Sequence, residues 1–323
     1  MSGLPPGART IDVARAAATL AAGGLVAFPT ETVYGLGADA ASATAVRRIF
    51  SVKGRPADHP LIVHLASPAD AEDGWVPVLP PTAARLAAEL WPGPLTLLVP
   101  AGPRVDPVVT GGRTTVGLRC PDHALARRLI ELAGTAVAAP SANRFGRVSP
   151  TTAAHVVADL GAEGDHVLDG GPCQVGVEST ILDCTTDVPM VLRHGGVTVE
   201  QLEATLNRPV ASRAEGPSRA PGMLASHYAP RCAVELAPDT SSAERRVESL
   251  RAAGRRAALI DPGPDPAPYA HQLYEWLRQA DADRLDVVVA VPPPPGGLGD
   301  AVRDRLEKAA APRAADSDTD DDP

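Results

Sequence analysis

The sequence is poor in aromatic residues and has almost no lysine. Aromatic side chains make up 3% of its 323 residues. This disfavours a single-stranded RNA-binding module, because such modules stack bases on aromatic rings. Only Lys53 and Lys308 are lysine among the 30 basic Lys and Arg residues. Each of these lysines is therefore a candidate for a specific role.

Long apolar runs and paired cysteines are also missing. No run approaches the roughly 20 residues of a membrane-spanning helix, and the N-terminus lacks the basic head and apolar stretch of a secretory signal. The four cysteines have no paired spacing, which indicates reduced buried thiols and neither a zinc site nor a disulfide framework. A net charge of −9 argues against bulk binding of nucleic acid. We therefore expect a cytoplasmic protein.

Alternating apolar and helical patterns predict two α/β domains. Residues 1–208 contain short strand-like runs, such as "LIVHL" and "LTLLV", with helical stretches between several of them. Residues 209–230 are rich in Pro, Gly, Ser and Arg and are typical of a linker. In residues 231–312 strand and helix alternate three times, which predicts a small parallel sheet. The tail, 313–323, is predicted to be acidic and disordered.

"FPTETVYGLGADA" places hydroxyls, a carboxylate and two glycines directly after an apolar run. "GLGADA" fits the glycine pattern of a dinucleotide-binding turn. The residues before Gly35 are polar or bulky, however, and do not form a strand that runs into the glycines. The acidic residue at the required distance is Asp58, which lies inside "RPADHP" and not at a strand end. An NAD-dependent enzyme is therefore disfavoured.

"KGRPADHPLIVHL" places two cations on either side of a glycine. Lys53 and Arg55 suit an anion with several oxygens, such as a triphosphate, although a basic surface loop is the alternative. His59 and His64 lack a third ligand at a spacing that a metal site requires.

"AAPSANRFGRVSPTT" adds polar residues directly after another strand-like run. Ser141 and Asn143 follow it, and Ser149 before Pro150 has the pattern of a helix N-cap, where an anion can also bind. There is no Walker loop, hydrolase elbow or catalytic triad. The polar residues therefore predict a site that works by positioning and charge neutralisation.

Six motifs in order give a family resemblance: "PTETVYGLG", "KGRP" with "HPLIVH", "LRCP", "APSANRFGRVSPT", "GVESTILD" and "PGMLASHYAP". Together they resemble the threonylcarbamoyl-AMP synthase family over nearly the whole chain, and "GLGDAVRDRLEKAA" is similar to the family's C-terminal end. The resemblance implies a YrdC-like twisted mixed sheet with helices. It also implies a small Rossmann-like parallel α/β C-terminal domain.

The same resemblance implies a reaction. L-threonine, bicarbonate and ATP, with Mg²⁺, give threonylcarbamoyl-AMP and pyrophosphate. The product would pass to downstream proteins that transfer the threonylcarbamoyl group to tRNA. The rival is a non-catalytic RNA-binding module of the same fold, which the acidic charge and the few aromatics disfavour.

The resemblance also implies roles for individual residues, and no metal ligand among them. Lys53 and Arg55 would be catalytic. Threonine would be held by Thr32, His64, Arg119, the Ala139 backbone and Ser179. ATP would be held by Arg55, His59, Thr115, Ser141, Asn143, Ser149, Arg193 and Tyr228.

Three features of this chain modify that expectation. Tyr228, in the segment 221–230, is expected to close over the nucleotide, although the segment is alternatively a mere tether. His59 stands where many relatives carry Asn, which makes its contact dependent on pH. His194 stands where Pro is usual, which predicts a looser turn after Arg193.

Overall fold

The structure, a computed structural model, describes residues 11–212 and 227–312. The first range forms these helices and strands: α1 Val13–Ala21, β1 Val26–Phe28, β2 Gly35–Asp39, α2 Ala43–Lys53, β3 Ile62–His64, α3 Pro81–Leu90, β4 Leu95–Pro100, α4 Pro107–Thr110, β5 Thr115–Arg119, α5 Ala124–Ala133, β6 Val137–Ala139, α6 Ala153–Leu160, β7 His166–Val167, β8 Thr180–Asp183, β9 Met190–Arg193, α7 Val199–Leu206 and β10 Ala211–Ser212. The second range forms β11 Ala233–Leu236, α8 Thr240–Ala252, β12 Ala257–Ile260, α9 Pro266–Ala282, β13 Val287–Ala290 and α10 Leu298–Ala310.

The first range builds one large mixed sheet. Its strand order is β10-β9-β8-β4-β5-β3-β6-β2-β1-β7, with both parallel and antiparallel pairs. At its centre β3 runs parallel to β5 and antiparallel to β6, so that His64 lies beside Arg119 and Ile62 lies beside Ala139. Residues that are far apart in the chain therefore meet on one face. The predicted mixed sheet with helices is confirmed.

The segment "GLGAD" is a strand and not a dinucleotide-binding turn. β2 pairs antiparallel with β1, with Gly37 opposite Val26. A Cβ on Gly37 would lie 2.7 Å from Cγ1 of Val137 and 2.8 Å from Cε1 of Phe28. The glycine allows the side chains around it to pack closely, and no phosphate-binding turn is present here.

The helix after "RVSPTT" begins later than the serine–proline pattern predicts. Thr152 is the N-cap of α6, and its side chain accepts a hydrogen bond from the backbone N–H of His155. Ser149 lies three residues earlier, so its predicted role as the cap is wrong. Its hydroxyl is therefore available for another contact.

The second range builds a parallel sheet in the order β11-β13-β12, which confirms the predicted C-terminal architecture. Its helices α9 and α10 bury Tyr269, Leu273 and Leu306. These side chains belong to a hydrophobic cluster that also contains Val148 and Val177 of the first domain. The two domains therefore share a core. Among the described residues, no helix has the length and apolar character needed to cross a membrane.

Candidate active site

A cavity of about 50 Å³ lies against the central strands β3, β5 and β6. Nine residues that the sequence predicts for the site line it: Thr32, Arg55, His64, Arg119, Ala139, Ser141, Ser179, Arg193 and Tyr228. The fold thus brings together all five residues predicted for threonine and four of those predicted for ATP.

The turn after β1 forms one side of this cavity. Thr30 Oγ1 donates to the carbonyl oxygen of Val33 at 2.7 Å, which fixes the turn. Arg119 Nη2 donates to Thr32 Oγ1 at 2.9 Å and lies 2.7 Å from Oε1 of Glu31. Arg119 and Glu31 are each 4% exposed. Nε of Arg119 is buried and has no hydrogen-bond partner among the described residues, so this donor is available to a ligand.

His64 is a neutral imidazole at physiological pH. Burial, aided by the nearby charge of Arg119, lowers the pKa of His64 to about 3. Its Nδ1 lies 3.2 Å from the carbonyl oxygen of Ile62, an acceptor to which an Nδ1–H can donate. The ring packs edge-on against Phe28, with 5.7 Å between the ring centroids. A fixed, uncharged ring therefore lies beside the Arg119 guanidinium.

Arg193 and Ser179 form the opposite wall. Nε and Nη2 of Arg193 donate to the carbonyl oxygen of Ser179 at 3.0 and 2.8 Å, and Nη2 also donates to Ser179 Oγ at 3.0 Å. After His194 the chain passes very close to this segment, since a Cβ on Gly195 would lie 2.3 Å from the carbonyl oxygen of Glu178. Glycine is required for that approach, which holds Arg193 in the wall.

Lys53 lies behind the cavity and does not line it. Its Nζ donates to the carbonyl oxygens of Ser141, at 2.6 Å, and Asn143. The Asn143 amide in turn donates to the carbonyl oxygens of Arg144 and Arg147, both at 2.8 Å. Burial and the neighbouring Arg55 lower the pKa of Lys53 well below its usual value. In this structure Lys53 therefore holds the loop that presents Ser141.

Arg55 lines the cavity as a cation. Its Nη2 donates to the carbonyl oxygen of Pro60 at 3.0 Å, whereas its buried Nε has no hydrogen-bond partner among the described residues. Burial lowers the pKa of Arg55 to about 10, so the guanidinium is protonated at neutral pH. The guanidinium lies 5.7 Å from the centroid of the Phe145 ring, which the His59 ring also contacts.

His59, Thr115 and Asn143 are predicted ATP-binding residues that do not line the cavity. Thr115 lies at the start of β5, opposite Pro100 of β4. Burial, together with Arg55, lowers the pKa of His59. Asn143 contacts the cavity only through Ser141, whose hydroxyl donates to the Asn143 side-chain oxygen. Their predicted contacts with ATP stay predictions.

Tyr228 and His227 close one side of the cavity. The predicted closing segment, 221–230, is described only from residue 227 onward; 221–226 lie outside the described residues. Tyr228 is 1% exposed and has a left-handed backbone, with φ of 61°. Burial, with the nearby Glu178 carboxylate, raises its pKa to about 12, so its hydroxyl remains protonated at neutral pH. The backbone N–H of Ala229 donates to the carbonyl oxygen of Gly146, which ties this segment to the Asn143 loop.

Ser149 lies behind the wall, where its hydroxyl donates to Oε1 of Glu178 at 2.6 Å. Burial opposes ionisation of Glu178, but Arg305, Arg193 and the Ser149 hydrogen bond outweigh it and lower the pKa to about 2. The structure thus adds two residues that the sequence reasoning gave no role in the site, Glu31 and His227, and it places Glu178 of the "GVEST" motif in the cavity wall. For Glu31 the available signal was its position between two threonines directly after a strand.

The described residues contain no group of three or more His, Cys, Asp or Glu side chains that could hold a metal ion. The nearest carboxylates to the cavity, Glu31 and Glu178, are engaged by arginines. These residues do not fit a resident metal centre.

Comparisons with known proteins agree with this geometry. A family model described as "Telomere recombination", for Sua5, YciO and YrdC, matches residues 18–195, and one described as "Threonylcarbamoyl-AMP synthase, C-terminal domain" matches residues 197–311. The threonylcarbamoyl-AMP synthases of Bacillus subtilis and Pyrococcus abyssi are each 41% identical to the chain. The Bacillus subtilis match covers 94% of this chain and 94% of the relative. The Pyrococcus abyssi match covers 91% of this chain and 93% of the relative.

A solved structure is also similar. The crystal structure of Pyrococcus abyssi Sua5 complexed with L-threonine superposes with a TM-score of 0.88, at 39% identity, over 92% of this chain and 94% of that one. The motifs, the fold and both family models therefore give the same result: the chain belongs to the Sua5–YciO–YrdC family, in the form that carries the threonylcarbamoyl-AMP synthase C-terminal domain.

Proposed function

We propose that the protein is an L-threonylcarbamoyladenylate synthase. It converts L-threonine, bicarbonate and ATP into threonylcarbamoyl-AMP and pyrophosphate, for threonylcarbamoyladenosine modification of tRNA. The proposal rests on relatives that carry this name and on a relative solved with L-threonine. The rival, a non-catalytic RNA-binding module, is not favoured by these relatives.

One observation in the cavity carries the proposal. Arg119 and Arg55 both line it, and each has a buried Nε without a hydrogen-bond partner among the described residues. Buried polar donors are normally satisfied, so each guanidinium group can offer a donor to an acceptor of a bound ligand. Two separate cations suit two anionic substrates: the carboxylate of threonine at Arg119, and the phosphates of ATP at Arg55.

The chemistry needs no covalent nucleophile from the protein. The amine of threonine combines with CO2, in equilibrium with bicarbonate, to give a carbamate. A carbamate oxygen then attacks the α-phosphorus of ATP, the bond to the β-phosphate oxygen breaks, and pyrophosphate leaves. The protein must hold two anions close together, and Mg²⁺ bound to ATP lowers their repulsion as part of the substrate.

The intermediate would then pass to proteins that transfer its threonylcarbamoyl group to tRNA. Threonylcarbamoyl-AMP is a mixed anhydride that water hydrolyses, so its consumer must act soon after release. A cytoplasmic location is part of the same proposal.

The test uses the full chain with ATP, Mg²⁺, L-threonine and ¹³C-bicarbonate. We expect mass spectrometry to detect threonylcarbamoyl-AMP that is one mass unit heavier than the unlabelled compound. Pyrophosphate should be released only when all three substrates are present. Pyrophosphate release that is independent of threonine and bicarbonate would contradict the proposal.

A further inference from the structure

Arg305 is a buried cation for which the proposed reaction has no role. It lies on α10 in the C-terminal domain and is 0% exposed, yet its Nε donates to Oε2 of Glu178 at 2.7 Å. Glu178 lines the active-site cavity. A buried ion pair adds little net stability compared with apolar packing, because both charges lose their hydration. The position of this pair beside the cavity therefore requires another explanation.

The Arg305 guanidinium contacts three separate segments of the cavity wall. Besides Glu178, its Nη2 donates to the carbonyl oxygen of His194 at 2.9 Å, directly after Arg193. Its planar face also lies 4.8 Å from the centroid of the Tyr228 ring. Three segments that are distant in the chain, around residues 178, 194 and 228, are thereby fixed by one side chain.

A tyrosine of the same domain supports this arrangement. The hydroxyl of Tyr274, on α9, lies 2.8 Å from Oε2 and 3.0 Å from Oε1 of Glu178 and donates to the carboxylate. The Tyr274 ring stacks on Tyr228, with 5.9 Å between centroids and 27° between planes. Two side chains of the C-terminal domain, Arg305 and Tyr274, thus each contact both Glu178 and Tyr228.

We propose that Arg305 and Tyr274 are positioning residues for nucleotide binding, and that the C-terminal domain thereby completes the nucleotide side of the site. This inference rests on the proposed function for the identity of the nucleotide. The three segments that Arg305 fixes carry Arg193, Tyr228 and, through Glu178, Ser149, which are predicted for ATP. Ser179, predicted for threonine, follows Glu178 but is itself bonded by Arg193 and not by Arg305. The threonine side, around Thr32 and Arg119, has none of these contacts.

The decisive variant is Arg305→Lys. Lysine keeps the positive charge beside Glu178, but it lacks the planar fork that contacts Glu178 and His194 together. A lost hydrogen bond to a charged group corresponds to roughly tenfold or more in an equilibrium constant. We expect the Kd of ATP, measured by calorimetry, to rise about tenfold or more, while the Kd of threonine changes by less than about twofold.

The matched control is Glu275→Ala, which breaks a different contact between the domains. Oε2 of Glu275 lies 3.1 Å from Nε2 of His155, and neither residue lines the cavity. This variant should leave both dissociation constants within about twofold of the parent. If Arg305→Lys also leaves ATP affinity unchanged, or weakens ATP and threonine equally, the inference is overturned.

Tyr274→Phe provides a second test if Arg305→Lys fails to fold, as judged by circular dichroism. It removes one hydroxyl and keeps the ring that stacks on Tyr228, so ATP affinity should fall severalfold with threonine affinity unchanged. An unchanged ATP affinity in a folded Tyr274→Phe variant would also overturn the inference. The parent protein distinguishes the two proposals. If the parent binds ATP but makes no threonylcarbamoyl-AMP, the proposed function fails. The ratio of ATP affinities between variant and parent then still tests the inference about Arg305 and Tyr274.

Discussion

Two neighbouring side chains, Thr32 and Glu31, hold the Arg119 guanidinium in place. Thr32 accepts a hydrogen bond from Nη2, and Glu31 supplies a counter-charge 2.7 Å from the same nitrogen. Both contacts fix the guanidinium plane before a substrate arrives, and they leave Nε unused. A preorganised guanidinium loses less entropy when it binds a carboxylate than a mobile one would.

This arrangement predicts the effect of Arg119→Lys. The ammonium can still pair with Glu31, but it cannot offer a second, coplanar donor to the carboxylate of threonine. We expect the Michaelis constant of threonine to rise about tenfold or more, by loss of a charged hydrogen bond, and that of ATP to change little. Arg128→Lys, on the exposed face of α5, is the control. An unchanged threonine Michaelis constant would refute the assignment.

Replacement of Arg55 or of Lys53 by alanine is predicted to lower the turnover number to a similar degree, but for different reasons. Arg55 faces the cavity, so Arg55→Ala removes a preorganised cation and should lower the turnover number on the order of 10²-fold. Lys53→Ala releases the carbonyl groups of Ser141 and Asn143 and should lower turnover to a similar degree by displacing that loop. Steady-state pyrophosphate release measures both, with the exposed Arg85→Ala on α3 as control. Near-normal turnover in Arg55→Ala would exclude its phosphate role, and near-normal turnover in Lys53→Ala would exclude its role in holding the loop.

At the scale of elements, the segment from His227 to Pro230 joins the two domains at the cavity. The backbone N–H of Ala229 bonds to Gly146 of the first domain, and that of His227 bonds to the carbonyl oxygen of Lys308 on α10. The left-handed backbone of Tyr228 costs roughly 1–2 kcal/mol, which the surrounding contacts must offset. The ring of Tyr228 is thus held over the cavity from both sides.

That position predicts a role in retaining the intermediate. Tyr228→Ala opens the cavity to water, which hydrolyses the mixed anhydride. We expect the molar ratio of threonylcarbamoyl-AMP to pyrophosphate, followed by mass spectrometry over time, to fall in this variant. Tyr228→Phe keeps the ring and should behave like the parent in this ratio. An unchanged ratio in Tyr228→Ala would favour the alternative that the segment 221–230 is only a tether between the domains.

Sequence patterns predicted most strands but missed several helices and the strands β2, β7 and β10, the last of which lies in the predicted linker. The apolar runs at β3, β4, β5 and β9 are short and bounded by proline, glycine or polar residues, which makes them visible. β2 was missed because its two glycines also fit a binding turn, and only the packing of Phe28 and Val137 around Gly37 decides between them. The helices α1, α3 and α7 were not predicted, although α1 and α3 are clearly amphipathic and bury Ala and Leu side chains on one face.

Only those residues of the candidate site that lie within short sequence motifs could be predicted. Thr32, His64 and Arg119 could be named from the resemblance, and the fold brings them together. Arg305 could not, because nothing in "GLGDAVRDRLEKAA" indicates a contact with Glu178, about 130 positions earlier. Contacts of that kind depend on how two domains pack and have no signature in either segment. The predicted loosening at His194 is likewise offset by Arg305, which holds the His194 carbonyl.

For the whole molecule, buried neutral histidines predict a loss of stability in acid. Burial lowers the pKa of both His64 and His227 to about 3, against about 6.5 in the unfolded chain. The unfolded state therefore binds more protons between these values. The stability from each histidine is complete above pH 6.5 and is lost as the pH falls toward 3. Near pH 5 each contributes a slope of about 1.4 kcal/mol per pH unit.

Urea unfolding at pH 7, 6 and 5 measures this slope. We expect the free energy of unfolding to fall over this range, and His227→Gln to reduce the slope by the contribution of one group. His271→Gln is the control, since that histidine is exposed. A slope that is the same in His227→Gln and the parent would show that His227 does not titrate as described.

The contact between Arg305 and Glu178 also has a consequence for the order in which the protein is made. The ribosome completes the large sheet, with β10 ending at Ser212, about 90 residues before it reaches Arg305. At a synthesis rate of roughly 5–20 residues per second, Glu178 waits ~5–20 s for its partner. During that interval Glu178, in the wall of the proposed nucleotide site, lacks the Arg305 contact and is stabilised only by Arg193 and Ser149 among the described residues of the first domain. The less compensated charge disfavours ATP, so the nascent chain would gain its full nucleotide affinity only when its second domain has been synthesised and has docked.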